Sequence, residues 1–315
     1  MSIDTAITSK VLVLDKDADC YGTIKSFCER HNLIGLKVHE EHMMTVLRTN
    51  VDLGGIMLSE SCAGLGEAGG GLARRIHEVR PELPIFLRRR REAAPGEEID
   101  PRERKLFNAV YRIEEIEELS SAVTASIFSQ SYPNALVRGI AEISRMVLES
   151  QFPGMTVDME RPYLVRDRII FGEVFTLIPL ESSWCRGYMM LQAEQHALQQ
   201  LVPSESEDFR DLNNTMGEVT NLIWGWFKNR FVNQSKLEQQ LSQVPIIINH
   251  RHRYISFGSD DAQLCFKYVL TGKDGGEPLA LLQRFIFNLS WSPQDFTENM
   301  ASVEELFESG ELELF

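Results

Sequence analysis

No cysteine in this chain has a neighbour at CxxC spacing; the five present, Cys20, Cys28, Cys62, Cys185 and Cys265, are odd in number and scattered. That pattern excludes a disulfide framework and a cysteine-built zinc site, and it suits a reducing compartment. Basic charge is also short. A net charge of −14 leaves no surplus of Lys and Arg to hold nucleic acid or an anionic membrane. No apolar run approaches the ~18 residues of a membrane-spanning helix, and the start MSIDTAITSKVLVLD lacks the basic-then-apolar order of a signal peptide. A cytoplasmic setting with no nucleic-acid and no membrane partner is the expectation. No internal repeat is found.

What is present is ordinary globular composition: 43% apolar and 25% charged residues over 315 positions, enough for two domains each with its own core. Residues 10 to about 130 alternate short apolar runs with helical spacing. Lys10 to Asp15, Leu33 to Val38, Leu53 to Leu58, Pro84 to Leu87 and Ala109 to Ile113 read as strands. Tyr21 to Arg30, Glu40 to Arg48, Leu72 to Arg80 and Glu114 to Phe128 read as helices between and after them. A (βα)5 alternation of this kind implies an α/β domain, a parallel sheet covered on both faces. The polar stretch Ser129 to Pro133 is the expected boundary.

The second half has another rhythm. Asn134 to Gln151 reads as an amphipathic helix, Arg168 to Leu180 and Arg186 to Leu191 as strands, and Ala193 to Leu201 as a helix. A long helix from about Glu207 to Val232 follows, then strands at Val244 to Ile248 and Tyr254 to Phe257, a helix over Asp261 to Leu270 and a strand over Ala280 to Leu289. The expected domains are 1–130 and 134–292, with an acidic tail over 293–315.

The long helix is the most informative segment, and Ser204-Glu-Ser-Glu207 has capping-box spacing just ahead of it. At about 100° per residue, Leu212, Met216, Val219, Ile223, Trp226 and Phe227 gather on one stripe suited to a core. Asn214, Glu218, Asn221 and Gly225 gather opposite, with Glu218 and Asn221 near enough along the helix for their side chains to be neighbours. Gly225 costs roughly 1 kcal/mol relative to alanine inside a helix, so it asks for a reason; a gap for a docking partner is one. Spacing alone is also satisfied by a merely solvated polar face.

Gly217-Glu-Val-Thr-Asn221, with Asn214 ahead of it, resembles the motif of CheC/CheX-type response-regulator phosphatases: Asp or Ser, three residues, Glu, two residues, Asn. The flanks Gly187-Tyr-Met-Met-Leu-Gln-Ala and Val244-Pro-Ile-Ile-Ile248 are similar to that family too, and the likeness covers roughly residues 134–290. The resemblance implies a CheC/CheX-like α/β domain with a long central helix. It implies hydrolysis of the aspartyl phosphate of a partner response regulator in two-component or chemotaxis signalling, with Glu218 and Asn221 as the catalytic pair and Asn214 and Gly225 supporting. Mg2+ is expected on the partner regulator, with no metal or other cofactor of the chain's own, and a homodimer is expected by analogy. The first motif position departs from the pattern, Asn214 standing for Asp or Ser, which leaves rate and partner choice open. A single motif copy is nearer the CheX arrangement.

The (βα)5 half and Val11-Leu-Val-Leu-Asp-Lys-Asp17 resemble a response-regulator receiver domain without its chemistry. Lys16 interrupts the acid pair Asp15 and Asp17; no Asp occurs from Gly55 to Ser59, where a phosphoacceptor belongs; Arg88 to Arg91 replace the Thr/Ser after strand four, and Arg112 or a neighbour the lysine after strand five. No phosphoacceptor is expected. Leu83-Pro-Ile-Phe-Leu-Arg88 and Tyr111-Arg-Ile-Glu-Glu115 also resemble the receiver-like wing of bacterial basic amino-acid decarboxylases, so a docking or dimerisation module is the reading.

Other signals are weaker. Gly64-Leu-Gly-Glu-Ala-Gly69 matches GxGxxG but follows the third strand rather than the first, so it reads as a loop. Arg88 to Arg91 read as a solvated strand end paired with nearby Glu, with anion binding as the rival. His250 and His252 lack a third ligand, and Trp224 and Trp226 read as packing, Trp224 being placed to reach an interface. Beside the enzyme stand a non-catalytic adaptor using the same helix face and, further back, a ligand sensor using the arginine run.

Overall fold

The computed structural model describes residues 6–50, 52–65, 71–90, 99–166, 169–199, 209–232, 261–272 and 277–299. Apolar runs at the start of the chain become β1 (Ser9–Leu14), β2 (Leu33–Lys37), β3 (Leu53–Ser59), β4 (Ile85–Arg88) and β5 (Ala109–Tyr111). They form one parallel sheet in the order β2-β1-β3-β4-β5, the doubly wound order of flavodoxin-like and receiver domains. Between and after them run α1 (Ala18–Arg30), α2 (Glu40–Thr49), α3 (Glu60–Ala63), α4 (Leu72–Val79), α5 (Pro101–Arg104) and α6 (Leu119–Ser126), the last preceded by a 3-10 turn over Ile113–Glu118. Strand side chains alternate between faces. Leu12, Leu14, Ile56 and Leu58 therefore pack with α2 and α4, and Val11, Val13, Met57 and Phe86 pack with α1 and α6. This half is the expected receiver-like (βα)5 domain, covered on both faces.

The second half is α/β of a different kind. Its sheet is antiparallel, with β6 (Met155–Met159), β10 (Gln263–Gly272), β11 (Leu279–Trp291), β9 (Cys185–Ala193) and β8 (Val174–Glu181) in that spatial order. β7 (Tyr163–Val165) pairs with β10 beside β6. Two long helices, α7 (Asn134–Gln151) and α9 (Phe209–Phe231), cover one face, and the single turn α8 (Gln195–Leu198) follows β9. Each large apolar side chain this core withdraws from water contributes about 1.5–3 kcal/mol.

Several expectations need correction. The segment expected as a helix over Asp261–Leu270 is strand β10. Leu264, Phe266, Tyr268 and Leu270 point into the core and are buried, and Cys265 is buried on the other side; the apolar Cys265 and Val269 on that second side blur the alternation by which a strand is recognised. Of the helix expected over Ala193–Leu201, the described part is the turn α8, residues 200 and 201 lying outside the described residues, and the strand expected from Arg168 is described from Val174. β6 and β7 were not expected. The strands read at Val244–Ile248 and Tyr254–Phe257, the capping box at Ser204–Glu207, His250 and His252, and most of the GxGxxG run lie outside the described residues. Of the stretch expected as an acidic tail, residues 293–299 are described. Pro293–Asp295 is a 3-10 turn, and Phe296 packs edge-on to Trp184 with ring centroids 5.0 Å apart.

β7 also joins the two sheets. On one side it pairs with β10; on the other Thr8 N–H donates to the Pro162 carbonyl at 3.0 Å and Leu164 N–H to the Thr8 carbonyl at 2.8 Å. Arg166 N–H donates to the Leu53 carbonyl at 3.0 Å, and Ser9 Oγ donates to the Leu164 carbonyl at 2.7 Å. The seam requires Gly54: a Cβ there would stand 1.9 Å from Ser9 Oγ. Lys10 pairs with Asp52 beside it and lies over the Tyr163 ring.

Candidate functional site

Two polar clusters occupy positions where chemistry could be done. The first is at the carboxyl ends of the parallel strands. Asp15 follows β1 and Arg88 ends β4, and the parallel topology brings these ends together although 73 residues separate them. Arg88 grips Asp15 with both prongs, Nε to Oδ2 at 2.5 Å and Nη2 to Oδ1 at 2.6 Å, with side chains only 5% and 2% exposed. Burial works against the guanidinium charge, but the hydrogen bond and charge of Asp15 outweigh it, and the Arg88 pKa moves up. Asp15 also accepts from Asp17 N–H at 2.9 Å, and Asp17 caps α1 by accepting from Asp19 N–H. β3 ends at Ser59, whose hydroxyl lies 2.6 Å from that of Ser61. Burial pushes the Tyr111 hydroxyl up as well.

The first arginine of the run is not solvated, Arg90 is exposed, and Arg91 lies outside the described residues. Arg88 is buried against Asp15, while Arg89 pairs with Glu60 at 3.0 Å and Arg90 N–H donates to the same carboxylate at 2.8 Å. The pairing with a nearby Glu was legible for Arg89; the partner of Arg88, at the end of β1, is remote in sequence.

The second cluster is on α9. Leu212, Met216, Val219, Ile223 and Phe227 are buried, as the stripe implies, and Trp226 is half-buried against the same core. Asn214, Glu218 and Asn221 are exposed on the opposite side. No hydrogen bond or ion pair to a described residue engages any of the three. Nothing lies within 4 Å of a Cβ built on Gly225, so the gap beside Asn221 is open. Trp224 is half-buried and stacks on Phe227 with ring centroids 5.8 Å apart.

Several contacts hold this helix, most of them not anticipated. Thr220 Oγ1 donates to the Met216 carbonyl at 2.7 Å and lies 2.5 Å from Thr176 Oγ1 on β8, fixing the rotation of α9 against the sheet. Gly139 on α7 lets the Phe231 ring in, since a Cβ there would be 2.4 Å from its tip. The last turn, whose carbonyls have no partner within the helix, is closed by Trp184 Nε1 donating to the Phe231 carbonyl at 2.9 Å. Asn299 adds its N–H to the Arg230 carbonyl and its amide to the Asn229 carbonyl, each at 2.8 Å. Arg230 bridges Glu142 of α7 at 2.8 Å and Glu298 at 2.7 Å. Burial opposes its charge, the two carboxylates more than offset this, and its pKa moves up. A basic residue in a last helical turn was the one available signal.

Among the described residues no group of three or more His, Cys, Asp or Glu is placed to hold a metal ion, and no helix is long and apolar enough to cross a membrane. No protein-family model and no curated protein matches the chain. Among solved structures it is similar to a CheC-like superfamily protein from Shewanella sp. PV-4, at 19% identity and TM-score 0.35, over 48% of this chain and 97% of that one. Chemotaxis protein CheX from Vibrio vulnificus matches at 18% identity and TM-score 0.33, over 48% and 99%. Full-length FixJ from B. japonicum matches at 10% identity and TM-score 0.31, over 70% of this chain and 91% of its own.

Proposed function

We propose that the chain is a phosphatase acting on the aspartyl phosphate of a partner response regulator, with α9 as the docking and catalytic element. The observation that carries this reading is a set of unengaged side chains: Asn214, Glu218 and Asn221 share one exposed side of a helix whose other side is fixed in the core. The open position at Gly225 leaves room beside the amide for a second protein.

The reaction asks little of the enzyme beyond geometry. A water oxygen bonds to phosphorus, the bond from phosphorus to the aspartyl oxygen breaks, and the carboxylate leaves with inorganic phosphate as the product. Placing the water in line is a sufficient source of rate. The Asn221 amide suits this because its oxygen accepts from water while its NH2 donates toward the phosphoryl oxygens; a carboxylate there would repel them. Glu218 pairs with the regulator's active-site lysine and sets the register between the proteins. An exposed pair of this kind contributes about 0–1 kcal/mol, so its effect is on orientation more than affinity. Mg2+ belongs to the regulator. Asn214 and Gly225 support the face.

The test is decay of aspartyl phosphate on candidate receivers charged with a small phosphodonor, compared without addition, with the wild-type chain and with Asn221→Ala. Faster decay with wild type alone is expected. A receiver that binds the chain but loses phosphate at its spontaneous rate would overturn the enzyme reading in favour of an adaptor.

A further inference from the structure

A groove between α1 and β2, on the side of the molecule built by the parallel sheet, encloses about 540 Å3. β2 is the edge strand of that sheet. Its alternation places Leu33, Gly35 and Lys37 toward α1. The floor is apolar, with Val13, Ile24, Cys28 and Leu33 all buried, and Ile34 at the rim is 41% exposed. Position 35, exposed on β2, adds no side chain to the groove. A Cβ there would sit 3.5 Å from both Cys28 Sγ and Val13 Cγ2, ordinary contact distance, so a larger residue would fit the backbone and fill the space.

One end of the groove carries spare positive charge. Lys37 Nζ stands 4.1 Å from the centroid of the Tyr21 ring, and Tyr21 is itself anchored by donating to the Asp15 carbonyl. Most other charges nearby are matched, the exception being Glu41, whose neighbour is His42 at 3.5 Å. Lys25 faces Glu29 at 3.8 Å, Lys16 faces Glu40 at 2.6 Å, and Asp15 is held by Arg88. Lys37 has no carboxylate partner among the described residues. A second cavity of about 660 Å3, lined in part by Tyr21, Lys37 and His39, continues the space past this lysine.

We infer that this groove is a binding site for a small apolar acid, a compact aromatic or branched hydrocarbon bearing one carboxylate, with its body over Gly35 and its carboxylate on Lys37. The volume lies within the range of small-molecule sites, which pair mostly apolar walls with a few polar groups that fix orientation. The cation held over an aromatic face keeps its charge directed at the groove. The site is independent of the α9 face and of its proposed chemistry.

The experiment is calorimetric titration of the full chain with 2-naphthoate and with the neutral 2-naphthamide, repeated on Gly35→Val and Lys37→Gln. Wild type is expected to bind the acid with Kd below about 1 mM and the amide more weakly. Gly35→Val is expected to weaken the acid at least tenfold, and Lys37→Gln to remove the preference for acid over amide. Circular dichroism melts establish that each variant is folded, and Lys37→Gln, at an exposed position, is the variant secure in that respect. No heat from wild type at millimolar probe overturns the inference. Acid binding unchanged by either substitution, or equal affinity for acid and amide in wild type, overturns it too.

Discussion

The carboxyl ends of the parallel strands and the outer face of α9 each gather polar side chains, and the two sets are engaged in opposite ways. In the first, Asp15 is buried, held by both prongs of Arg88 and by the Asp17 amide. In the second, Glu218 and Asn221 stand exposed with no described partner. A buried carboxylate matched by an internal guanidinium has its hydrogen-bonding capacity consumed within the fold, so its contribution is to structure. A carboxylate and an amide left unmatched on a rigid helix cost the fold little and stay available to a second molecule. A carboxylate is thus spent inside the fold in one half and left available in the other, and the difference lies in its partners.

The sharpest way to break this comparison is to remove one acid from each cluster and measure both stability and activity. Asp15→Ala is expected to lower unfolding free energy by about 3–5 kcal/mol, since it leaves Arg88 buried and unmatched. Glu218→Ala is expected to stay within about 0.5 kcal/mol of wild type, as exposed substitutions do, while losing phosphatase activity. Denaturant titrations decide the first part; if both variants unfold alike, the contrast fails. Next in size, Asn221→Ala should reduce the acceleration of phosphate loss by on the order of 100-fold with an unchanged melting curve.

Two packing changes sharpen it further. Gly139→Leu would push against Phe231 and is expected to cost about 1–3 kcal/mol and to disturb the α9 face with it. Gly54→Val is expected to cost a similar amount at the seam between the sheets but to leave phosphate hydrolysis per folded molecule intact; a parallel loss of activity would tie the two halves together functionally.

The smallest effect concerns thiols. Burial pushes Cys28 up to about 11 and Cys185 up to about 12, from an ordinary 9.0. Each folded thiol therefore binds its proton more tightly than the unfolded one. The stability this contributes is complete below about pH 9 and is lost as pH rises toward 11 and then 12. Alkylation at pH 8 should be slow in both halves until the chain unfolds, which mass spectrometry reads directly.

The sequence made the first half legible because a strand buried in a parallel sheet appears as a compact apolar run between turn residues. The helix Asn134–Gln151 and the core stripe of α9 were legible for the matching reason, one apolar face at helical spacing. β10 was misread because Cys265 and Val269 place apolar side chains on its second side and blur the period of two, and β7 was missed because its role comes from two neighbours distant in sequence. At the sites, the exposed set on α9 followed from spacing alone. The pairing of Asp15 with Arg88 needed one more step: carboxyl ends of parallel strands converge, so an acid after β1 and a base ending β4 are candidates for each other.

The short strand β7 has a consequence for watching the molecule move. The Leu164 and Arg166 amides donate to Thr8 and Leu53, in the half built by the parallel sheet, although both residues lie within or directly after a strand of the other half. Their exchange with solvent deuterium requires the halves to part locally, whereas amides within α7 exchange only when that helix opens. The ratio of these two rates, followed through one peptide spanning residues 160–166 and one within 134–151, measures how often the two halves separate without either of them unfolding.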